Sequence, residues 1–414
     1  MLQPGSVVKG GGGQRWTVER LLGTGTCCHV YQAAVHREEG KVAIKIFNEG
    51  AKYESAFHRE KLLLKTMHHI LPCRQLVRAL ADAQHEHHWC LIQELLDVDV
   101  RQILLKNQND GLSLHLIQSL AHDILSGLKY LHKAGFVHAD VKPRNLLWSP
   151  QDGCMKIIDF SLTFHVEDKR LGRLQSTGYR APEVEQWNSS TLASSEDNDC
   201  LFPSKSADIW SLGCVLVEMF TASKLLTKDM QESYTTVKGD SYTDRRPDLS
   251  KILARLIVVR DQDSSTQNAH ILTQELRNLI TSMVETDVSK RPSVEECLAH
   301  GFFQLQTVPK YVDFLLLPSC VLRFLNLIDP EKVLDEPECI AVQEAMTEEC
   351  ARYGSLKNCI IGQQGESLGK VFVEFTFTHQ AVAAFERLSQ KTFDGHTVLV
   401  TYFPSGDFHD GKLY

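Results

Sequence analysis

The sequence predicts an α+β protein built from two folded parts, and three observations carry that prediction. Residues 15–50 alternate apolar and polar side chains around glycines, the period-two pattern of antiparallel strands. From Leu114 to Lys133 the residues Leu116, Leu120, Ile124, Leu128 and Leu131 recur at intervals of three or four, one buried face of a helix. Past Pro318 the pattern starts afresh and reads β-α-β-β-α-β. The 414 residues suffice for two to three ordinary domains, and with 43% hydrophobic and 23% charged residues the chain resembles neither a disordered nor a fibrous protein. A net charge of -8 argues against a chain that holds nucleic acid by bulk electrostatics. Twelve cysteines are too few for a disulfide scaffold, and no apolar run reaches the ~18 residues of a membrane span. A soluble intracellular protein with free thiols is expected.

In chain order, residues 1–14 end in Gly10-Gly11-Gly12-Gly13 and are expected to form a flexible leader. The clearest strand is Val42-Ala43-Ile44-Lys45-Ile46, with Gly23 and Gly25 in the turn before it. Residues 186–205 are polar without periodicity and read as a loop, while helical patterns resume at 207–220, 271–284 and 293–300. Strands followed by helices suit a two-lobed domain over 15–303. The connection 304–317 is apolar at Tyr311, Val312 and Phe314 to Leu317, so it is expected to pack as a short linker. In the tail, 318–414, strands are expected at 320–328, 356–361, 370–377 and 397–403. Helices are expected at 337–353, with Pro337 at its first position and Gly354 past its end, and at 380–390. That order is the split βαβ of ferredoxin-like folds.

The chemistry-bearing residues of the first part come as an ordered series. Gly23-Thr24-Gly25-Thr26-Cys27-Cys28-His29-Val30 is a turn that can lie over phosphates, with Cys28 in the place of a third glycine. Lys45 ends Val-Ala-Ile-Lys on a strand, and Glu60 on the following helical stretch is its candidate partner, with Glu54 as the alternative. Then come His138-Ala139-Asp140-Val141-Lys142-Pro143-Arg144-Asn145, Asp159-Phe160-Ser161, Ala181-Pro182-Glu183, Asp208-Ile209-Trp210-Ser211-Leu212-Gly213 and Arg291.

This series resembles the eukaryotic protein kinases, and the resemblance implies a bilobal protein kinase fold using ATP and Mg²⁺. It implies that Lys45 grips the α- and β-phosphates and that Glu60 pairs with it. Asp140 is then the proton acceptor for the substrate hydroxyl, Lys142 the cation that neutralises the transferred phosphoryl, and Asn145 and Asp159 the magnesium ligands. Arg291 is implied to pair with Glu183. The segment Leu91-Ile92-Gln93-Glu94-Leu95-Leu96 reads as the last strand entering the hinge, with Gln93 as gatekeeper and the backbone of Glu94 and Leu96 facing adenine. Ala139 replaces the arginine that receives an activation-loop phosphate, so activity without loop phosphorylation is expected. Ser161 replaces a glycine and narrows backbone freedom next to Asp159. Tyr179-Arg180 resembles the proline-directed kinases. Ser161, Thr163, Ser176 and Thr177 are either autophosphorylation sites or polar loop residues. The run His85-Glu86-His87-His88 with Cys90 alternates direction along a turn, which disfavours a metal site.

The tail strands resemble the RNA-recognition motif (RRM), but Arg323 and Lys370 stand where stacking aromatics belong, leaving Phe372 as the expected platform. The tail carries 8 Lys and Arg against 14 Asp and Glu, among them Glu344 and Glu348 on one helical face. Such a face repels phosphate and attracts basic peptides, so RNA binding is expected to be weak or absent. Lys391-Thr392-Phe393 before Asp394-Gly395 is similar to the Arg-x-Phe loop of the U2 auxiliary factor homology motif (UHM), an RRM-like subclass that holds a tryptophan preceded by basic residues. With the acidic face it makes Glu344, Glu348, Lys391 and Phe393 the implied peptide site. A kinase followed by a UHM resembles the UHM kinases, the family of kinases interacting with stathmin. That resemblance implies a nuclear serine/threonine kinase, with the cytoplasm as an additional site. It implies proline-directed action on splicing factors and stathmin-type proteins. A scaffold whose kinase part binds ATP poorly, and an RNA-binding kinase, are the alternatives.

Overall fold

Val7–Lys9 forms β1 and pairs with Arg15–Thr24 (β2), setting Val8 opposite Trp16. The protein is described here from a computed structural model over residues 2–37, 40–70, 73–168, 171–190, 202–232, 248–260, 268–328, 336–389, 391–393 and 396–414. Val8 is 0% exposed in a core with Trp16, Val18, Tyr31 and Ile44, so the leader expected to be flexible is in fact part of the sheet. The glycines make this possible rather than loosening it. Gly12 and Gly13 take φ of 64° and 82° in the turn, and a Cβ on Gly10 would meet the Trp16 ring at 2.6 Å.

The chain divides into one unit of residues 1–147 and 155–307 and a second of 148–154 and 308–414. In the first, the sheet continues through Cys28–Val35 (β3) and Lys41–Phe47 (β4). The helix Ala51–Ile70 (α1) intervenes before Ala79–His85 (β5) and His88–Glu94 (β6), giving the order β1-β2-β3-β4-β6-β5. Phe57 of α1 meets Phe47 edge to face at 5.5 Å, anchoring that helix to the sheet. After Val100–Lys106 (α2), Ser113 caps Leu114–Lys133 (α3), whose expected stripe of Leu116, Leu120, Ile124, Leu128 and Leu131 is buried. Short strands follow at Phe136–Val137 (β7), Leu146–Ser149 (β8), Cys154–Ile157 (β9) and Phe164–His165 (β10). Pro182–Ser190 (α4) extends helix into residues 186–190, which the sequence reading made loop; residues 191–201 of that loop lie outside the described residues. Ser206–Thr221 (α5) is buried from Ala207 to Phe220 and forms the centre of this unit. Lys228–Glu232 (α6), Leu249–Leu256 (α7), Ala269–Met283 (α8) and Val294–Leu298 (α9) complete it.

The second unit adds Asp313–Leu316 (α10), Val321–Leu325 (β11), Glu336–Ala351 (α11), Leu356–Ile361 (β12) and Val371–Phe375 (β13). It continues with Thr378–Leu388 (α12), Thr392–Phe393 (β14), His396–Thr397 (β15), Leu399–Phe403 (β16) and Ser405–His409 (α13). Its four-stranded antiparallel sheet has the order β12-β13-β11-β16. One face packs on α11 and α12 through Leu322, Phe324, Val373, Met346 and Ala384. The other is covered as well: Val321, Phe372, Phe403 and Phe408 form a second core with Tyr414. Phe372 is 0% exposed, so it is no stacking platform, a correction whose cause is α13 and the residues after it. Arg323 is also buried, between Phe314 and Phe403, and donates to the Tyr414 carbonyl at 2.7 Å. Phe314 itself packs against Tyr414, so the end of the expected linker is packed. No helix among the described residues is long and apolar enough to cross a membrane.

Candidate active site

The site starts with β4, whose hydrogen-bonded neighbours β3 and β6 fix its register and aim Lys45 inward. Lys45 Nζ donates to both carboxylate oxygens of Glu60 at 2.9 and 2.7 Å and to Asp159 Oδ1 at 2.7 Å. Burial alone would pull the Lys45 ammonium down, but the carboxylates of Asp159 and Glu60 outweigh it and hold it above the usual lysine range. Burial likewise pushes Asp159 up, and Lys45 overrides this, holding the carboxyl below the usual carboxylate range. Glu60 goes the other way: burial raises it despite Lys45. Glu54, the alternative partner, instead accepts from Trp89 Nε1 at 3.1 Å.

Asp159 has a φ of 62°, a left-handed backbone that is uncommon for aspartate and typical of strained functional positions. Ser161 replaces the glycine beside it, and its hydroxyl adds to what lowers the Asp159 carboxyl, after Lys45. In the catalytic loop, Asp140 Oδ2 accepts from Lys142 Nζ at 2.6 Å and Asn145 Nδ2 at 3.1 Å. Its Oδ1 accepts from the Ser176 hydroxyl at 2.7 Å, and Lys142 also reaches Ser176 at 3.0 Å. Asp208, fully buried, braces this loop by accepting the amides of His138 and Ala139 at 2.9 and 2.8 Å. Arg291 forms a bidentate pair with Glu183 at 2.7 and 3.1 Å.

The phosphate-side turn closes by Gly25 N–H donating to the Cys28 carbonyl at 2.8 Å. A Cβ at Gly23 would meet nothing within 4 Å, so the turn leaves free space beside its backbone. Cys28 is buried, and burial pushes its thiol up to about 12, which makes it an inert filler. Thr24, Thr26, Cys27, His29 and Val30 lie along the same β2–β3 turn. At the hinge the Glu94 carboxylate is consumed by Lys156 at 2.8 Å and Arg78 at 3.0 Å, so its side chain does not serve adenine; Leu96 follows, half-buried. Gln93 is buried with no partner at Nε2 among the described residues. The oxygen donors of Asp159 and Asn145 suit Mg²⁺, and the open turn suits a nucleotide's phosphates, so the residues present fit a magnesium nucleotide. Among the described residues no group of three or more His, Cys, Asp or Glu is placed to hold a metal, the His85–His88 run included.

The protein kinase domain family matches residues 16–303. The serine/threonine-protein kinase Kist of Homo sapiens is 34% identical over 414 residues, 97% of this chain and 94% of that protein; the Rattus norvegicus Kist is 33% identical over the same shares. This chain is a serine/threonine protein kinase of the Kist family. Mitogen-activated protein kinase 13 of Mus musculus is 30% identical over 297 residues, 68% of this chain and 76% of that protein. A crystal structure of a kinase domain, 21% identical with a TM-score of 0.55, covers 73% of the chain and 98% of that structure and shares the fold.

In this kinase the pairing of Lys45 with Glu60 and the inward Asp159 are both in place, the arrangement phosphoryl transfer requires. Ser176 and Asp208 are working residues whose part in the site the sequence did not show. Ser176 reads in the sequence as an autophosphorylation site or a polar loop residue, and Asp208 only as the start of a helix. In the tail, Ile340, Gln343, Glu344, Thr347, Glu348 and Ala351 on the outer side of α11 line a surface cavity of about 540 Å³. Lys391 pairs with Glu349 at 3.5 Å through one nitrogen, while Arg352 holds the same carboxylate at 2.9 Å. Phe393 stands in β14 opposite His396, and only its backbone is described.

Proposed function

We propose that this kinase transfers the γ-phosphate of Mg-ATP to serine or threonine that precedes proline. Its substrates would be splicing factors and stathmin-type regulators, recruited by an RRM-like UHM domain in the tail. Bound Mg-ATP supplies the phosphoryl group. Asp140, its carboxylate held by Lys142, Asn145 and Ser176, orients the incoming hydroxyl and takes its proton. Lys142 stands where charge on the transferred group needs neutralising, and Lys45 positions phosphates while Glu60 fixes its direction.

The observation that carries the proline preference is the carbonyl of Gln175. Ser176 lies on Asp140, so residues 175–179 border the place where the residue after the acceptor must pass. Any residue but proline brings an N–H there that needs an acceptor. Gln175, with a φ of 56°, turns its carbonyl into the Arg180 guanidinium at 3.3 and 3.1 Å, so that acceptor is occupied. An N–H left unpaired costs ~1–3 kcal/mol, roughly a fivefold to 150-fold preference for proline. A peptide library with varied residues after the acceptor tests this on wild type, Asp140→Asn and Arg180→Met. Transfer abolished in Asp140→Asn and a proline preference reduced in Arg180→Met are expected; equal use of alanine and proline by wild type sinks the reading.

The tail reading is supported by the β-α-β-β-α-β order and by the acidic cavity that Glu344 and Glu348 line on α11, while Lys391 pairs with Glu349, which does not line that cavity. The occupied second sheet face favours a peptide over RNA as its ligand. Substrate classes and a nuclear setting come with the UHM-kinase resemblance.

A further inference from the structure

Ala139 leaves this kinase without the arginine that would clamp a phosphorylated activation segment, yet Leu174, Gln175, Gly178, Tyr179 and Ala181 are each tied in place. Leu174 is gripped on both sides by the Asn188 carboxamide of α4, which accepts its N–H at 2.9 Å and donates to its carbonyl at 2.8 Å. Gln175, 5% exposed, donates its side-chain N–H groups to the Ala207 carbonyl at 2.8 Å and the Ser211 hydroxyl at 2.9 Å, and accepts the Ala181 amide at 2.8 Å. Its backbone N–H reaches the carbonyl of Ala139 itself at 3.0 Å. Ser211 passes the tie onward by donating to the Tyr179 carbonyl at 2.7 Å. Gln231 of α6 accepts the Gly178 amide at 2.8 Å.

We propose that Asn188, Gln175 and Gln231 form a neutral carboxamide latch that replaces the phosphate-arginine clamp and holds the activation segment ready for substrate without covalent activation. These are positioning residues: they touch neither nucleotide nor the reacting hydroxyl. They act through Ser176, which Gln175 precedes directly and which sits on Asp140. All three side chains are buried, where hydrogen bonds are strong and unscreened by salt. A carboxamide also keeps its donors and acceptor at every pH at which the protein folds, so the latch has no off state that a phosphatase or a change in pH could produce. The proposal rests on the chain acting as the serine/threonine kinase argued above.

The test uses the full chain with Gln175→Met, which keeps length and removes the carboxamide, and Asn188→Leu as a second variant should the first fail to fold. Mass spectrometry of active wild type should find residues 171–181 without phosphate, and phosphatase treatment should leave its rate within twofold. Either variant should lose at least tenfold in kcat/KM for the peptide while its KM for ATP stays within twofold. Hydrogen exchange should show the amides of Leu174, Gln175, Gly178 and Ala181 protected in wild type and released in the variant. Silencing of wild type by phosphatase, unchanged peptide kinetics in a folded variant, or equal exchange of those amides would each overturn the latch. Because exchange is read without turnover, a wild type that transfers no phosphate but keeps the exchange difference defeats the enzymatic reading and leaves the latch standing.

Discussion

Lys45 and Glu60 form a buried ion pair that the partly exposed Asp159 joins, and the energetics of this cluster decide how single substitutions there behave. Removing one member of a buried pair leaves the other uncompensated, at ~3–5 kcal/mol. Glu60→Gln keeps Lys45 paired with Asp159, so a stability loss near the low end, about 3 kcal/mol, is expected by denaturant titration, with the ATP KM raised at least tenfold. The signs of the pH dependence follow from the native shifts. Asp159 is held low by Lys45, so its contribution to folding is complete above the ordinary carboxylate value and is lost as the pH falls through its lowered native value. Lys45 is held high, so its own contribution persists through neutrality and fails only in strong alkali. Thermal melts should therefore show a constant gap between wild type and Asp159→Asn from pH 7 to 5, narrowing only below about pH 4. A gap already closed at pH 5 would contradict this. Lys45 and Asp159 were legible in the sequence because each sits in a short motif, whereas Glu60 shared its place with Glu54 until the fold put it on Lys45. Ser176 and Gln175 were not, because their work depends on the fold bringing residue 140 beside residue 176 and residue 175 beside residue 207.

At the scale of elements, periodic stretches were read with accuracy: α3 matches its stripe, and the strand at 356–361 matches β12 end to end. Errors fell where composition and context disagree. A tetraglycine run reads as flexible on its own, yet here it builds the turn that lets β1 lie on β2 and bury Val8. Val8→Asp should therefore cost about 3 kcal/mol or more, the scale of an unpaired charge in a core, and removal of residues 1–10 should lower Tm measurably. Unchanged melting would restore the leader. On the β11 and β13 sheet, the sequence showed Phe372 in a position for base stacking but could not show that α13 covers it. Phe372→Ala is accordingly a core truncation, expected to cost ~3–5 kcal/mol in urea titration while leaving single-stranded RNA affinity unaltered. A variant that is stable but has lost RNA binding would return that face to nucleic acid.

For the molecule as a whole, the proposed peptide site on the acidic face of α11, on one chain with the kinase, predicts tethering rather than a sharper active site. A substrate that carries both a Ser-Pro acceptor and a basic-tryptophan segment raises the local acceptor concentration once its segment is held at α11. Tethering acts on encounter, not on the phosphoryl-transfer step, so KM should fall roughly tenfold or more relative to the acceptor peptide alone, with kcat unchanged. The exposed carboxylates of Glu344 and Glu348 supply the attraction, and their reversal in Glu344→Lys/Glu348→Lys touches no buried contact. That double variant should lose the KM advantage of the long substrate and keep wild-type kinetics on the short one. The advantage in wild type should also shrink as salt rises, because the α11 face is open to solvent and screened at ordinary ionic strength. Loss of activity on both substrates would mean that the reversal disturbs catalysis itself. Equal KM for long and short substrates in wild type would remove recruitment from the tail and leave selection to the residues around Gln175 and Arg180.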